Sequence, residues 1–315
     1  MNLSRVFVLG LAGVFASASA APFSSLIVYG DSLSDTGNTF AALVSAGLPG
    51  YPPAPYFQGR FSNGPVSSEL LANRLSAPLV NFSYGGATTG DGNYLDGGTV
   101  TSMVALPGMR FAFDSTSPSL SASALSTGLF LVWGGPNDLI APSPNDTTGI
   151  AIAQRSVQNI QHIVGQLQSL GAQNILVPGM PDLGLTPLLR SGEGPIGAAE
   201  ASALSMYFNN LLQASLPAGA GYVDTFHLLN DAVENPAAYG FTNVTDACFD
   251  PSVGVCANPG EYLFWDDLHP SSAGHEILAE RFANAAVPEP STVTLAIAAL
   301  LFGLVMKSAG EGRQV

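Results

Sequence analysis

A serine near the start of the chain stands where nucleophiles often stand in enzymes built on open sheets. Residues 26–29 are Leu, Ile, Val and Tyr, an apolar run that predicts a buried strand, and the turn Gly30-Asp31-Ser32 ends it. Ligands of open α/β sheets bind beyond the carboxyl ends of the strands, so the Ser32 hydroxyl is a candidate nucleophile. The same residues also suit an ordinary turn or a helix N-cap.

A histidine near the other end of the sequence is the candidate base for that serine. Asp266 precedes His269 by three residues, which is close enough for its carboxylate to bond the ring and fix the tautomer. His269 then takes the proton from the Ser32 hydroxyl, which is a poor nucleophile without a base. We expect structural or surface roles for the other three histidines, His162, His227 and His275.

Two further residues are candidates for stabilising negative charge on oxygen. Attack on an ester carbonyl creates that charge, so hydrogen-bond donors are needed beside it. The backbone N–H of Gly86 and the side-chain amide of Asn137 each follow a predicted strand, and the N–H of Ser32 is a third donor. Glycine has no Cβ to hold a substrate away from its amide. Alternatively, Gly86 forms a plain turn and Asn137 caps a helix.

The elements that must position these residues alternate between strands and helices. Continuous apolar runs predict five strands, at 26–29, 78–82, 128–133, 174–177 and 221–224. Such runs indicate a parallel sheet that is buried on both faces. Helical spacing predicts helices at 39–46, 65–75, 152–170 and 198–216. The alternation predicts a doubly wound α/β sandwich, with the loops of Ser32, Gly86 and Asn137 at one edge of its mostly parallel central sheet.

Four sequence blocks, taken in order, resemble the GDSL, or SGNH, hydrolase family. They are Gly-Asp-Ser at 30–32, Gly-Gly-Ala-Thr at 85–88, Gly-Pro-Asn-Asp at 135–138 and Asp-Asp-Leu-His-Pro at 266–270. The resemblance runs from about Leu26 to Phe282.

This resemblance implies a three-layer, flavodoxin-like α/β fold and acyl-ester hydrolysis without a metal or organic cofactor. It implies Ser32 as nucleophile, His269 as base and Asp266 as the residue that orients His269. Gly86 and Asn137 would complete the oxyanion hole with the Ser32 N–H.

The segment 47–64, rich in proline, glycine and aromatic residues, is expected to form a rim or lid of the pocket, with a plain surface loop as the alternative. Within it, Gly-Arg-Phe-Ser-Asn-Gly at 59–64, followed by Pro65, resembles the lipase-like branch of the family, as does the segment from Cys248 to Trp265. Exposed aromatic side chains there would favour an acyl chain in the substrate: Tyr51, Tyr56, Phe57 and Phe61. The alternatives are a polysaccharide O-acetyl esterase and a non-catalytic envelope or matrix binding protein.

The charge balance excludes some partners. Lys and Arg total 9 against 23 Asp and Glu, for a formal net charge of −14. A surface this acidic argues against nucleic acid and anionic lipid as main partners.

The first residues predict export. A positive charge at Arg5, an apolar run at 6–15 and Ala18-Ser19-Ala20 have the order of a signal peptide spanning 1–20. Outside the cytosol, the only two cysteines, Cys248 and Cys256, are expected to form a local disulfide. Two free thiols are the alternative, and a metal site is disfavoured because no nearby His or third Cys completes a ligand set.

The end of the chain resembles a PEP-CTERM sorting signal. Pro288-Glu289-Pro290 precedes an uncharged apolar stretch at 293–306 and the basic residues Lys307 and Arg313. The resemblance implies a hydrophobic helix and recognition by envelope sorting machinery, whereas an uncleaved anchor or a final packed helix is the alternative. We therefore expect a signal peptide at 1–20, a hydrolase domain at 22–286 and a sorting tail at 287–315.

Overall fold

The computed structural model describes residues 23–96, 106–140 and 146–287 of the 315-residue chain. Its centre is a parallel sheet of five strands, β1 Leu26–Gly30, β2 Leu79–Asn81, β3 Leu129–Trp133, β4 Asn174–Pro178 and β5 Ala220–Val223. The strand order is β2-β1-β3-β4-β5, which is the flavodoxin-like order. The prediction of an α/β fold with a mostly parallel central sheet is confirmed.

Helices cover both faces of this sheet. The described residues contain the helices α1 Asn38–Ser45, α2 Ser67–Leu75, α3 Met109–Thr116, α4 Ala122–Thr127, α5 Pro136–Ile140, α6 Gly149–Leu170, α7 Pro187–Ser191, α8 Ala198–Ser215, α9 Thr225–Glu234 and α10 Ser272–Ala286. Buried side chains of α3, α6 and α8 pack on one face of the sheet. Side chains of α2, α9 and α10 pack on the other.

The central strands are apolar throughout because successive side chains point to opposite, equally buried faces. In β1, Ile27 and Tyr29 join the core beneath α6 and α8. Leu26 and Val28 join the core beneath α2 and α10. Every residue of β1 and β3 is buried.

Two expectations about the elements were wrong. The strands β2 and β5 are not buried on both faces, because they are the two edges of the sheet, and Val80 is 40% exposed. The second helix begins at Ser67 rather than at Pro65, because Val66 is extended and serves as its N-cap. The long helix α6 ends as predicted at Gly171, whose left-handed conformation, with φ of 104°, suits glycine.

A small region after α9 carries the candidate base. It contains β6 Asn243–Ala247, β7 Phe249–Asp250, β8 Gly254–Val255 and β9 Tyr262–Phe264. The strands β7 and β8 form an antiparallel hairpin, and a disulfide joins Cys248 to Cys256 across it.

The signal peptide expected at 1–20 and the apolar stretch at 293–306 lie outside the described residues. Within the described ranges, no helix combines the length and apolarity that crossing a bilayer requires.

Loss of the disulfide should destabilise the protein measurably. In the chain-entropy account, a closed loop with a sequence separation of 8 residues contributes about 2–3 kcal/mol to the free energy of unfolding. The double variant Cys248→Ala, Cys256→Ala should lose that amount in urea denaturation. Val255→Ala, in the same hairpin and already exposed, is the control. Equal stabilities of the two variants would contradict the expectation.

Candidate active site

The serine, histidine and aspartate expected to act together lie within hydrogen-bonding distance. Nε2 of His269 is 2.9 Å from Oγ of Ser32, and Nδ1 of His269 is 2.8 Å from Oδ2 of Asp266. Because a carboxylate only accepts hydrogen bonds, Nδ1 carries the hydrogen and Nε2 accepts from the serine hydroxyl. This tautomer leaves His269 ready to remove the Ser32 proton.

The loop from Trp265 to Pro270 folds around the aspartate. Oδ1 of Asp266 accepts the backbone N–H groups of Leu268 at 2.9 Å and His269 at 2.6 Å. The backbone N–H of Trp265 donates to the carbonyl of His269 at 2.8 Å. These bonds close a tight turn, which explains how a three-residue spacing brings the carboxylate to the ring.

Burial and charge shift the pKa values of Asp266 and His269 in opposite directions. Burial alone would raise the pKa of Asp266, but the neighbouring His269 and the hydrogen bonds to the carboxylate hold that pKa below its ordinary value. Burial would likewise lower the pKa of His269, yet the charge of Asp266 and its hydrogen bond raise it above 6.5. His269 is therefore neutral, and able to accept a proton from Ser32, only above this raised pKa.

The residue before the serine adds a second buried acid. Burial raises the pKa of Asp31 to about 7, although the Leu33 N–H donates to its Oδ1 at 3.0 Å. Near neutral pH its charge attracts a protonated His269.

Ser32 and Asn137, two of the three residues expected to supply oxyanion-hole donors, line the same pocket. Among the described residues, the backbone N–H groups of Ser32 and Gly86 donate to no protein acceptor. The amide of Asn137 donates one hydrogen to the carbonyl of Ala87 at 3.0 Å, which fixes the group and leaves its second hydrogen for a ligand.

Glycine is required at position 86. Its φ is +77°, and a Cβ there would lie 2.5 Å from Oδ1 of Asn93. Asn93 holds this turn, because its Nδ2 donates to the carbonyl of Gly85 at 2.9 Å and its Oδ1 accepts from the N–H of Leu95 at 2.9 Å.

Two buried carboxylates form hydrogen bonds that connect the loops of Ser32, Gly86 and Asn137. Oδ2 of Asp35 accepts from the N–H of Gly85 at 2.8 Å, which links the serine turn to the Gly86 turn. Asp138 accepts from the N–H and hydroxyl of Thr89 at 2.8 and 2.9 Å and pairs with Arg155 at 2.9 Å. Burial raises the pKa of both carboxyls, although these partners favour the charged forms.

A profile of the family described as GDSL-like Lipase/Acylhydrolase matches residues 26–282, which include all of these residues. The chain belongs to this family. It is therefore an ester hydrolase, and the comparisons with individual proteins agree.

Two relatives of this GDSL hydrolase align over most of their length. Phosphatidylcholine-sterol acyltransferase of Aeromonas hydrophila is 31% identical over 333 residues, covering 89% of this chain and 95% of that protein. Acetylajmalan esterase 2 of Rauvolfia serpentina is 27% identical over 342 residues, covering 86% and 92%. A similar solved structure is a family 2 carbohydrate esterase with a carbohydrate-binding domain from Corynascus thermopiles (Myceliophthora fergusii), at 19% identity and a TM-score of 0.50. The match covers 85% of this chain and 67% of that one, and it concerns the fold.

The aromatic segment of the GDSL hydrolase differs from the exposed rim that the sequence predicted. Phe61 is buried and packs on the His269 ring, with 5.1 Å between ring centres. Tyr56 is partly buried, and its hydroxyl bonds Asp266. Of the four aromatic residues expected at the rim, Tyr51 is the clearly exposed one, at 44%. For Phe61 and Tyr56 the prediction failed because both rings pack against the histidine loop.

The Ser62-Asn63 pair in this segment clamps the histidine loop. The hydroxyl of Ser62 donates to the Pro270 carbonyl at 3.1 Å, and Oδ1 of Asn63 accepts the Ser272 N–H at 2.7 Å. The motif at 59–64, which resembles the lipase-like branch, thus connects the segment before α2 to the start of α10.

An apolar pocket of about 70 Å³ opens beside Ser32, Asn137 and His269. Its other walls come from the loop after β4, from α9, from β9, from the histidine loop and from α10. They include Pro181, Leu183, Leu228, Leu229, Ala232, Leu263, Phe264, Leu268, Ile277 and Leu278. The sequence predicted no pocket here, because these residues look like ordinary core residues of their own elements.

The remaining histidines do not contact the serine. His227 repeats the three-residue spacing, with Asp224 at 2.6 Å, but its side chain is 77% exposed. His162 lies 3.8 Å from Asp114 on the surface. His275 is buried at the start of α10, where its Nδ1 accepts from the Ser67 N–H at 3.2 Å. No group of three or more His, Cys, Asp or Glu side chains within the described ranges is placed to hold a metal ion.

The raised pKa of His269 should depend on Asp266. In an NMR titration, the His269 ring of the wild-type protein should titrate above 6.5, the ordinary value. In Asp266→Asn the ring stays buried but loses its counter-charge, so the pKa should fall by about 1–3 pH units.

Asp224→Asn is the matched control, because it removes the same kind of partner from the exposed His227. It should leave the His269 titration unchanged. A wild-type pKa below 6.5, or equal titrations in wild type and Asp266→Asn, would contradict the electrostatic account.

Proposed function

We propose that this GDSL hydrolase is an exported serine esterase that cleaves carboxylic esters with an apolar acyl chain. Ser32 acts as nucleophile, His269 as base and then acid, and Asp266 as the group that orients His269. The observation that carries the proposal is the 2.9 Å contact between Ser32 Oγ and His269 Nε2, with Asp266 on the far side of the ring.

The reaction follows from this order of groups. Ser32 Oγ bonds to the ester carbonyl carbon while its proton passes to His269 Nε2, and the carbonyl oxygen takes the negative charge. The N–H groups of Ser32 and Gly86 and the free amide hydrogen of Asn137 stabilise that oxygen. When this tetrahedral intermediate collapses, the bond from the carbonyl carbon to the alcohol oxygen breaks. The alcohol leaves with the proton from His269.

Water then completes the cycle. It gives a proton to His269 as its oxygen bonds to the acyl carbon, and Ser32 leaves with that proton. No step requires a metal or an organic cofactor. The negative charge of Asp266 stabilises the histidine whenever it carries the extra proton.

The apolar pocket supports an acyl chain longer than acetyl. It lies directly beside the serine and is lined mainly by aliphatic side chains. An acyl chain bound there would be removed from water, at about 0.8 kcal/mol for each buried CH₂. A relative that is 31% identical is named for action on phosphatidylcholine, whereas polysaccharide O-acetyl groups would leave this pocket unused.

Export and sorting are also proposals. The small residues at 18–20, which follow the apolar run at 6–15, support cleavage of a signal peptide. The disulfide is consistent with an oxidising compartment. The Pro-Glu-Pro motif at 288–290 supports recognition by envelope sorting machinery.

Ser32 should be the residue that a fluorophosphonate labels. Ser32→Ala should lose labelling, and its ester turnover should fall on the order of 10⁴–10⁶-fold. Ser34→Ala is the matched control, because Ser34 is buried two residues further on and its Oγ has no hydrogen-bond partner in the described part of the chain.

Labelling lost in Ser32→Ala and kept in Ser34→Ala would support the proposal. Comparable labelling of wild type and Ser32→Ala would overturn the nucleophile assignment. An unlabelled, inactive wild-type protein would favour the non-catalytic binding protein instead.

The acyl preference should depend on Ala232, which is buried in the pocket wall. In wild type, kcat/KM should rise from p-nitrophenyl acetate to hexanoate by up to about fourfold for each fully buried CH₂. Ala232→Phe fills the pocket, so it should abolish this preference for hexanoate and spare acetate. Ala238→Phe, on the exposed turn after α9, is the control. An unchanged hexanoate-to-acetate ratio in a folded Ala232→Phe protein would place the acyl chain elsewhere.

A further inference from the structure

The carboxylate behind the candidate base has a partner from a distant part of the chain. The hydroxyl of Tyr56 donates to Oδ2 of Asp266 at 2.7 Å, across 210 residues of sequence. Oδ2 also receives the Nδ1–H of His269, at 2.8 Å, whereas Oδ1 lies 3.0 Å from the same Nδ1 and receives the backbone N–H groups of Leu268 and His269. Among the described residues, Tyr56 is the only side chain besides His269 that bonds this carboxylate.

A carboxylate that accepts four hydrogen bonds has a fixed orientation. The bonds to Oδ1 come from the backbone of the same turn, so they hold one oxygen. The bond from Tyr56 fixes the other oxygen against rotation about the Cβ–Cγ bond of Asp266. The direction of Oδ2 in turn sets the direction of the Nδ1–H bond, and with it the line from Nε2 to the Ser32 hydroxyl.

The tyrosine remains a donor throughout the working range of an esterase. Its burial and the negative charge of Asp266 raise the pKa of the Tyr56 hydroxyl far above its ordinary value. The ionised form, which could not donate, is therefore absent at the pH values at which His269 titrates.

The Tyr56 ring is held by two other aromatic residues. Its ring centre lies 5.6 Å from that of Phe249 and 6.0 Å from that of Trp265, both edge to face. Phe249 and Trp265 stack on one another at 5.5 Å. Phe249 follows Cys248 directly, so the disulfide-closed hairpin supports the ring. Such ring packing would survive removal of the hydroxyl alone.

We propose that Tyr56 is a positioning residue of the catalytic site: its hydroxyl holds Oδ2 of Asp266 and thereby aims His269 at Ser32. It touches neither substrate nor the reacting atoms. The proposal rests on the proposed serine esterase function.

The hydroxyl has an electrostatic effect as well as a steric one. Its hydrogen draws negative charge from Asp266, which weakens the attraction of the carboxylate for a protonated His269. Removal of the hydroxyl should therefore misalign the ring and, at the same time, make His269 more basic. A purely structural role would not change the basicity of His269 in this direction.

Tyr56→Phe tests this inference, because it deletes the hydroxyl and keeps the ring. We expect kcat to fall about tenfold, as for a lost hydrogen bond to a charged group, with KM within about twofold of wild type. The acid limb of kcat/KM should move to higher pH. The NMR titration of His269, which requires no turnover, should move in the same direction.

Tyr207→Phe is the matched control. Tyr207 lies in α8, does not line the pocket, and its hydroxyl accepts a hydrogen bond from Nε2 of Gln154 at 3.0 Å, so the variant also removes one bonded tyrosine hydroxyl. It should keep the wild-type kcat, pH profile and His269 titration. Equal behaviour of both variants in all three measurements would overturn the proposal.

A double-mutant cycle distinguishes positioning from a general loss of stability. In the Asp266→Asn background the aspartate charge is gone, so adding Tyr56→Phe should not raise the pKa of His269 any further. An equal rise in both backgrounds would contradict an action through Asp266. Failure of the Ser32→Ala test would remove the proposed function itself, whereas wild-type behaviour of Tyr56→Phe beside an inactive Ser32→Ala would remove this inference alone.

Discussion

The site depends on one buried carboxylate that must be both charged and fixed. A charge removed from water is costly unless hydrogen bonds and an opposite charge compensate it. Asp266 receives two backbone N–H groups, the ring N–H of His269 and the hydroxyl of Tyr56. These bonds keep it ionised, and they define one orientation of the imidazole. The contact of His269 with Ser32 is the consequence of that orientation.

The parallel sheet brings the loops of the site to one edge, and buried polar groups set the distances between these loops. Three neighbouring strands deliver the serine turn, the Gly86 turn and the Asn137 loop to one edge of the sheet. Loops at a sheet edge are not held by the strand ladder, so other contacts must fix their separation. Asp35 and Asp138 do this by accepting hydrogen bonds from the next loop. These bonds hold the three loops before a substrate arrives, which is the preorganisation that the proposed oxyanion hole requires.

Local sequence patterns were sufficient for the existence of the five strands and for the residues that follow them, because both are set by short-range periodicity and turn chemistry. They were insufficient wherever a contact joins distant segments: nothing near Tyr56 indicates a bond to a residue 210 positions away, and Phe61 was expected at the surface. The three-residue spacing between aspartate and histidine was also insufficient to identify the candidate base, since both His227 and His269 have an aspartate three residues before them. Burial and the presence of a serine distinguish the two, and both are properties of the folded chain.

The most direct measurement is a crystal structure of the protein after reaction with a small organophosphate that mimics the tetrahedral intermediate. The account predicts phosphorus bonded to Oγ of Ser32, with the phosphoryl oxygen within hydrogen-bonding distance of the Gly86 N–H and the Asn137 amide. His269 would remain bonded to Asp266, with Nε2 facing the substituted oxygen. Phosphorus on another residue, or a phosphoryl oxygen directed away from both donors, would contradict the account.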